Sequence, residues 1–351
     1  MASPRRVYTH PALREFDLIR TIRRRFGRGD AFVVQSIGDD AAIVAARPHQ
    51  WDLLTTDLLA EGVHFDLRTA TFADVGFRAV AANLSDIAAM GGQPRYLLVV
   101  LAVPRDAAGS QIQQLYQGIM AAGRPHGVRL IGGDTSASTG GWFISLTLIG
   151  SVPPGRALLR RGARIGDGIY VTGTLGDALA GLSLLKESTG RSRRRSSPAS
   201  LSSRHRRFLI QRHLRPTARV GIGRWLSTNR LATSAIDLSD GLSGDLGHIC
   251  KESRVGAEVD TAALPLSSAC LAFAAARKID PSALALTGGE DYELLFTTPA
   301  HLKTTLERTA GRCGIPLTRI GTIRPARSGI YAITGEGRRQ PISVTSYEHF
   351  R

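Results

Sequence analysis

The sequence predicts an α/β protein of the α+β type, built as two successive halves. Short apolar runs of strand length alternate along the chain with longer stretches whose apolar residues recur at helical spacing. A Pro153-Pro154-Gly155 break separates two such series, and 351 residues are enough for two ordinary domains. We therefore expect an N-terminal α/β domain over residues 1–150 and a C-terminal α/β domain over residues 151–351.

In the N-terminal half, the first predicted helix covers residues 13–26, because its apolar residues recur on one helical face. A second helix is predicted over residues 74–90, where Gly91-Gly92 ends the pattern. The other predicted elements of this half are strands near 41–45 and 52–56, a strand at 96–103, a helix at 110–123, a strand ending in LIGGDTS and an alternating strand at 143–149.

The C-terminal half continues this alternation, with one segment of different composition. Residues 188–207 are rich in Ser and Arg and poor in apolar residues, so we expect a flexible surface insertion there. The other predicted elements are a strand at 168–172, helices at 176–185, 208–213 and 217–226, a strand at 234–238, a helix at 242–253 and a strand at 331–334.

The composition argues against several protein classes. The longest apolar run, from Tyr96 to Val103, is too short to span a bilayer, and the first residues contain no apolar signal-peptide core. Three cysteines without a CxxC spacing argue against a disulfide framework or structural zinc. We therefore expect a cytoplasmic protein with no membrane partner.

The positive charge identifies no partner by itself. The formal net charge is +16, but only four of the 45 basic residues are lysine, a skew that genome composition explains as well as function does. Because net charge alone is not a recognition signal, we expect a solvated basic surface and treat nucleic-acid binding as the weaker interpretation.

Eleven acidic residues stand in short Gly-rich or apolar runs, where a solvated carboxylate is not expected. They are Asp39, Asp40, Asp57, Asp86, Asp134, Asp237, Asp240, Asp245, Glu290, Asp291 and Glu293. A buried carboxylate is costly unless it is paired or bound to metal. Hard cations such as Mg²⁺ bind carboxylate oxygens that they share with substrate phosphates. The runs together predict one acidic metal site.

Most single runs also have a structural interpretation. Asp39-Asp40 is typical of a turn, and Asp57 of a helix N-cap. Asp86 lies in the middle of a predicted helix, where capping is impossible. Asp134 follows two glycines at a predicted strand end, where the backbone can approach a ligand closely. A shared site explains the set better than separate structural roles do.

The chain has no P-loop and no GxGxxG before a helix, so a bound nucleotide would need metals, backbone N–H groups and arginines. Arg160 is a candidate phosphate clamp, with Arg161 as a rival. Ser239 stands at a strand-to-helix junction, where a helix N-terminus can bind an anion. His64 follows the TTD run and is either a ligand contact or a structural histidine.

The ordered set of motifs resembles the thiamine-monophosphate kinase family. It comprises EFDLI, GDDAA, TTDLLAEGVHF, NLSDIAAMG, LIGGDTS, RRGARIGDGIYVTGTLGDALAGL, RHLRPTAR, AIDLSDGLSGDLGHI and LTGGEDYELLF. The resemblance covers the chain from about Glu15 to the terminal YEHF. It implies a two-domain fold like that of aminoimidazole ribonucleotide synthetase, and a homodimer formed through N-terminal strands.

The resemblance also implies the reaction, the last step of thiamine diphosphate biosynthesis: ATP and thiamine monophosphate give ADP and thiamine diphosphate. Its Mg²⁺ ligands match Asp40, Thr55, Thr56, Asp57, Asp86, Asp134, Asp237 and Asp240. Its ATP contacts match Tyr116, Gly133, Asp134, Arg160 and Ser239, and its thiamine-phosphate contacts match His64, Glu290 and Tyr347. Tyr347 departs from the family pattern, because Ser346 precedes it where Gly is common.

No general base and no covalent nucleophile are expected. The nucleophile is a phosphate oxygen of the substrate, which is largely ionised near neutral pH because its second pKa is about 6. Catalysis therefore has to neutralise two anions and align them, which Mg²⁺ ions and Arg160 would do. We expect direct in-line transfer without a phosphoenzyme.

Two alternatives remain open at this point. The first is another ATP-dependent phosphotransferase or synthetase of the same superfamily. Selenophosphate synthetase relatives usually carry a reactive Cys or selenocysteine near the N-terminus, whereas this chain has no cysteine before Cys250. The second, of a different class, is an arginine-rich RNA-associated binding protein.

Asp86→Asn separates the kinase from the RNA-binding interpretation. We expect the variant to lose ATP-dependent turnover, because a carboxylate needed to hold cations is gone. An RNA-binding protein would instead keep tight, salt-sensitive RNA binding in the variant. Turnover and RNA affinity are measured for both proteins, with circular dichroism as the control for folding. Full turnover in Asp86→Asn would contradict the kinase interpretation.

Overall fold

A computed structural model describes residues 15–27, 30–37, 42–190, 201–310, 314 and 316–343. Helices and strands alternate through these ranges, as the sequence predicts. The chain divides into two compact units. Unit 1 comprises Met1–Pro48, Thr56–Val80 and Arg95–Leu148; unit 2 comprises His49–Thr55, Ala81–Pro94 and Ile149–Arg351. Within the described ranges, no helix has the length and apolarity that a membrane span requires.

Four strands of the first half form one sheet. In spatial order they are β3 (Trp51–Ala60), β6 (Phe143–Val152), β4 (Gln93–Pro104) and β5 (Arg129–Ser138). Two shorter strands, β1 (Val33–Gln35) and β2 (Ile43–Val44), pair with each other. The helices of this half are α1 (Glu15–Phe26), α2 (Phe72–Ala89) and α3 (Gly109–Gly123).

Helices α2 and α3 approach each other closely in unit 1 through two glycines. A Cβ atom on Gly76 would lie 2.1 Å from the carbonyl oxygen of Leu115, and one on Gly118 would lie 1.9 Å from that of Ala73. Neither position can hold a larger residue without moving a helix backbone. The reciprocal contact fixes the N-terminal part of α2, the helix that carries Asp86 further along.

Two strands are longer than the sequence pattern predicts, and this moves two of the predicted site residues. β3 continues to Ala60, so Asp57 lies inside a strand and the helix N-cap interpretation is wrong. β5 continues to Ser138 because its parallel pairing with β4 persists to that residue. Asp134 therefore lies within β5, beside Val100 in the register, rather than at a strand end.

Seven strands of the second half form a mixed sheet. In spatial order they are β13 (Arg339–Pro341), β12 (Ile330–Ile333), β9 (Val255–Asp260), β11 (Leu317–Pro325), β7 (Gly168–Thr172), β10 (Leu294–Thr298) and β8 (Ser234–Asp237). The helices of this half are α4 (Asp177–Ser188), α5 (Ser203–Leu214), α6 (Val220–Thr228), α7 (Leu242–Ser253), α8 (Ser268–Arg277), α9 (Pro281–Thr287) and α10 (Lys303–Ala310).

This sheet buries apolar residues in unit 2 and positions the end of β8. β7, β8 and β10 are buried at every position. β10 pairs antiparallel with β8, and the register places Leu294 opposite Asp237. Beyond the last paired residues, the amide of Leu238 donates to the carbonyl of Glu293 at 2.8 Å. The two segments that leave the sheet here therefore stay side by side.

The expected insertion over residues 188–207 is too long at its C-terminal end. Helix α5 begins at Ser203, five residues before the predicted start at Phe208. The side chain of Ser202 accepts a hydrogen bond from the amide of His205, so a serine that composition assigns to a loop is an N-cap. Residues 191–200 lie outside the described residues.

Gly181→Ala tests the close packing of α4 on α5. A Cβ atom at Gly181 would lie 2.1 Å from the carbonyl oxygen of Leu209, so we expect a loss of about 1–3 kcal/mol in urea denaturation. Gly221→Ala in α6 is the matched control, because no atom lies within 4 Å of its added Cβ. We expect that variant to be unchanged or stabilised by less than about 1 kcal/mol. Equal losses in both variants would contradict the packing argument.

Candidate active site

Two buried or half-buried carboxylates face each other in unit 2. Asp86 lies in α2 and Asp237 ends β8, where its residue is only 4% exposed. The hydroxyl of Thr55, in β3, donates to Oδ2 of Asp86. The side chain of Ser85 is close enough to Asp237 to lower its pKa. The negative charge of Asp86 acts on Asp237 in the opposite direction.

The pKa values of Asp86 and Asp237 show that the positive charges of the chain do not fully offset the burial of these two carboxylates. Burial, followed by the negative charge of Asp86, raises the pKa of Asp237 to about 7. Burial likewise raises the pKa of Asp86, against lowering effects of the Thr55 hydroxyl and the charge of Arg160. Like charges at short range disfavour ionisation, so the pair is poised to accept a cation.

Asp245 joins the same cluster from the first turn of α7. Its Oδ2 accepts hydrogen bonds from the amides of Asp240 at 3.2 Å and Gly241 at 3.1 Å, which fixes the turn before the helix. Burial, followed by the charges of Asp237 and Asp240, raises the pKa of Asp245 to about 8. Asp245 thus supports the turn that carries Asp240, a predicted ligand.

Arg160, rather than its rival Arg161, acts on the carboxylates. The charge of Arg160 lowers the pKa of both Asp86 and Asp237. Its side chain is exposed, so the guanidinium is accessible to a ligand. An exposed guanidinium beside a carboxylate cluster can bind phosphate oxygens bidentately while the acids bind cations.

Ser239 and Glu290 are brought together by the backbone. The amide of Glu290 donates to the carbonyl of Ser239 at 2.8 Å. Glu290 has φ +66°, a left-handed conformation that is strained for a residue with a side chain. Its Oε2 lies 3.4 Å from Nδ1 of His213 in α5. Glycine would adopt this conformation without strain, so the strained glutamate is a candidate functional residue.

The other acids of the GGEDYEL run have structural partners. Asp291 accepts hydrogen bonds from the amides of Gly176 at 2.6 Å and Ala178 at 3.0 Å, and so caps α4. Glu293 is fully buried and forms ion pairs with Arg212 at 2.9 Å and with Arg219. These two acids belong to the framework, and Glu290 alone of the three is partly exposed.

The remaining predicted residues lie in unit 1, mostly on neighbouring strands. The Thr147 hydroxyl donates to that of Thr56 at 3.2 Å, which ties β6 to β3 beside Asp57. Nδ1 of His64 accepts from the amide of Ala60 at 3.0 Å, in the turn after β3. Asp134 is exposed on β5.

Gly133 and Tyr116 are also in unit 1. A Cβ atom on Gly133 would lie 1.9 Å from the carbonyl oxygen of Val99, so only glycine fits there. Tyr116 is 3% exposed and its ring stacks on Phe26 at a centroid distance of 5.4 Å. Its predicted ATP contact stays a prediction, and Asp40 and Tyr347 lie outside the described residues.

The chain matches two family models in succession. Residues 38–152 match the model described as AIR synthase related protein, N-terminal domain, and residues 164–332 match that of the C-terminal domain. The chain is also 39% identical over 346 residues to the thiamine-monophosphate kinase of Haemophilus influenzae, covering 97% of this chain and 99% of the relative. The chain belongs to the thiamine-monophosphate kinase family. The predicted fold class and family are confirmed.

Solved structures agree with this membership. The crystal structure of thiamine-monophosphate kinase from Stenotrophomonas maltophilia is similar, with a TM-score of 0.77, 36% identity, and coverage of 92% of this chain and 96% of that one. The structure of AaThiL complexed with AMPPCP and TMP has a TM-score of 0.74 and 34% identity, with coverage of 96% and 97%. The alternatives of another superfamily enzyme and of an RNA-associated protein are not favoured by these relatives.

The carboxylates of unit 2 fit a hard divalent cation. Asp86 and Asp237 offer oxygen donors, and because burial raises the pKa values of both, a bound cation would favour their ionised forms. Among the residues that the structure describes, no three His, Cys, Asp or Glu side chains already form a metal site. An incomplete protein ligand set suits Mg²⁺, which keeps several waters and shares substrate phosphates.

Several contributors to the site carry no signal that sequence reasoning could use. Ser85 precedes Asp86 in a helix, and its effect on the pKa of Asp237 depends on where β8 lies. Arg212 and Arg219 belong to the RHLRPTAR motif, but their shared partner Glu293 is more than 70 residues away in the sequence. The spacing of the two arginines in the motif is compatible with a shared carboxylate partner, but it does not identify that partner as Glu293.

Glu293→Gln tests the structural role of the buried ion pairs. Arg212 and Arg219 would then lack their shared carboxylate, and we expect a destabilisation of roughly 3–5 kcal/mol in denaturation experiments. Glu258→Gln is the matched control, because its pair with Arg324 is partly exposed, and we expect less than about 1 kcal/mol there. A small loss for Glu293→Gln would show that this cluster does not hold the framework together.

Proposed function

We propose that this chain is an enzyme that transfers the γ-phosphoryl group of ATP to thiamine monophosphate, giving ADP and thiamine diphosphate. The observation that carries the proposal is the cluster of Asp86, Asp237 and Arg160, which combines oxygen donors for cations with a guanidinium for phosphate. Family membership supplies the identity of the substrates. One similar structure contains both AMPPCP and TMP.

Mg²⁺ is the cation that we propose for this site. The residues that would hold it are those matched by the family pattern: Asp40, Thr55, Thr56, Asp57, Asp86, Asp134, Asp237 and Asp240. Bound Mg²⁺ would supply positive charge to the phosphates of both substrates. The buried, mutually repelling carboxylates of Asp86 and Asp237 support this choice, because cation binding relieves their repulsion.

The residues of the chain orient the substrates rather than react with them. Arg160 is proposed to bind transferring phosphate oxygens, and the other proposed ATP contacts are Ser239, Tyr116, Gly133 and Asp134. The phosphate of thiamine monophosphate is itself the nucleophile, so no side chain has to remove a proton. We therefore propose direct in-line transfer without a covalent enzyme intermediate.

His64, Glu290 and Tyr347 are the proposed contacts to thiamine monophosphate. The strained backbone of Glu290 supports its assignment, because strained residues cluster at functional sites. Its carboxylate could pair with the thiazolium cation of thiamine. An aromatic ring such as Tyr347 suits a cation equally well.

We further propose that the protein is a cytoplasmic homodimer that assembles through strands of the first half. Large apolar side chains are exposed on this sheet: Leu54 is 72% exposed, Leu58 54% and Val100 43%. Leu54 and Leu58 lie four residues apart on β3 and therefore on the same face. Large apolar side chains that a strand leaves exposed are typical of a protein–protein interface.

An ADP-release assay tests the proposed reaction. We expect turnover with thiamine monophosphate and Mg²⁺, and only background release with thiamine or without acceptor, since thiamine lacks the nucleophilic phosphate. Chelation of Mg²⁺ should abolish turnover, and excess Mg²⁺ should restore it. Equal turnover with thiamine would refute the substrate assignment. Trapping of a phospho-aspartate on rapid quench would refute direct transfer.

A further inference from the structure

One hydroxyl group fixes the loop that carries Arg160. Ser253 is the last residue of α7, and its Oγ accepts hydrogen bonds from the amides of Gly162 at 3.1 Å and Ala163 at 3.2 Å. The same hydroxyl donates to the carbonyl of Arg160 at 3.2 Å. A serine hydroxyl has one donor and two acceptor sites, so Ser253 uses all three on this loop.

The loop is also anchored on its other side. The carbonyl of Leu159 accepts a hydrogen bond from the amide of Ala235 in β8 at 2.9 Å. Gly162 has φ +122°, and a Cβ atom there would lie 2.4 Å from the carbonyl oxygen of Thr233. Arg160 thus lies between a strand contact before it and the Ser253 contacts around it.

The anchoring matters because the Arg160 side chain is exposed. A long side chain in solvent has many rotamers, and holding it toward a site costs conformational entropy. Its charge nevertheless acts on both Asp86 and Asp237. A fixed backbone limits the directions that the guanidinium can sample and so favours the orientation that faces the carboxylates.

Helix α7 contacts both the turn that carries Asp240 and the loop that carries Arg160. Asp245 in its first turn holds the turn that carries Asp240, and Ser253 at its end holds the Arg160 loop. The helix has 12 residues and is therefore about 18 Å long. One rigid element thus links the turn of the acidic cluster to the arginine loop.

We propose that Ser253 is a positioning residue, which holds Arg160 in the orientation that binds the transferring phosphate. The proposal rests on the proposed function of this site, in which Arg160 contacts phosphate. It assigns to Ser253 no contact with substrate. Its effect on the reaction therefore passes through Arg160.

A double-mutant cycle of Ser253→Ala and Arg160→Ala tests this proposal. We expect Ser253→Ala to lower kcat/KM for ATP by about ten- to a hundredfold, since a displaced catalytic group costs that much, and to leave KM for thiamine monophosphate unchanged. In the Arg160→Ala background, Ser253→Ala should cause no further loss, because the group that it positions is absent. Ser253→Thr keeps the hydroxyl and should retain most activity.

Ser202→Ala is the matched control. Its hydroxyl also accepts a hydrogen bond from a main-chain amide, that of His205 at 3.1 Å, at the start of α5. We expect its activity to equal that of the wild type. Unchanged activity in Ser253→Ala, or a loss that multiplies with that of Arg160→Ala, would overturn the positioning role.

A second measurement distinguishes failure of the substrate assignment from failure of the positioning role of Ser253. If the wild type does not phosphorylate thiamine monophosphate, the substrate assignment falls. The cycle is then measured from the shift in melting temperature that Mg²⁺-ATP produces, which depends on ATP binding alone. A shift that is reduced in Ser253→Ala but not reduced further in the double variant supports positioning, and a full shift in Ser253→Ala overturns it.

Discussion

The removal of the Asp86 and Asp237 carboxylates from water, close enough for their negative charges to interact, is the constraint on which the rest of the site depends. Burial is the larger cause that raises the pKa of Asp237 to about 7, the charge of Asp86 adds to it, and the charge of Arg160 opposes both. Well-packed neutral residues would make a more stable protein at these positions. Retaining the acids is reasonable when a ligand rich in positive charge and phosphate binds there, because functional sites commonly cost stability.

The framework around this cluster separates acids that the sequence places side by side. Within one short run, Asp291 caps α4 and Glu293 pairs with Arg212 and Arg219, and both are buried. Glu290 has a strained backbone and a partly exposed carboxylate. The two buried acids have internal partners that offset the cost of burial, whereas Glu290 is partly exposed and lies beside His213.

The fold class and the position of Asp86 could be predicted from the sequence. Helical periodicity places Asp86 in the middle of a helix, where a carboxylate cannot act as a cap. The lengths of β3 and β5 could not be predicted, because they depend on pairing with strands that are distant in the sequence. The sequence pattern therefore placed Asp57 and Asp134 at strand ends, whereas both lie within strands. The start of α5 was missed because its cap, Ser202, lies in an Arg/Ser-rich stretch that composition classes as a loop. The choice between Arg160 and Arg161 depends on which side chain faces the carboxylates, which only the fold decides.

The most direct test of the account is the thermal stability of Asp237→Asn at pH 8, with and without Mg²⁺-ATP. Because the pKa of Asp237 is raised in the folded chain, its ionisation costs folding free energy that builds up above the ordinary carboxyl pKa and is complete above about pH 7. The account predicts that the variant without ligand melts at the same temperature as the wild type or higher, and that Mg²⁺-ATP no longer stabilises it. A lower melting temperature combined with a full Mg²⁺-ATP shift would show that Asp237 is a structural residue and would contradict the account.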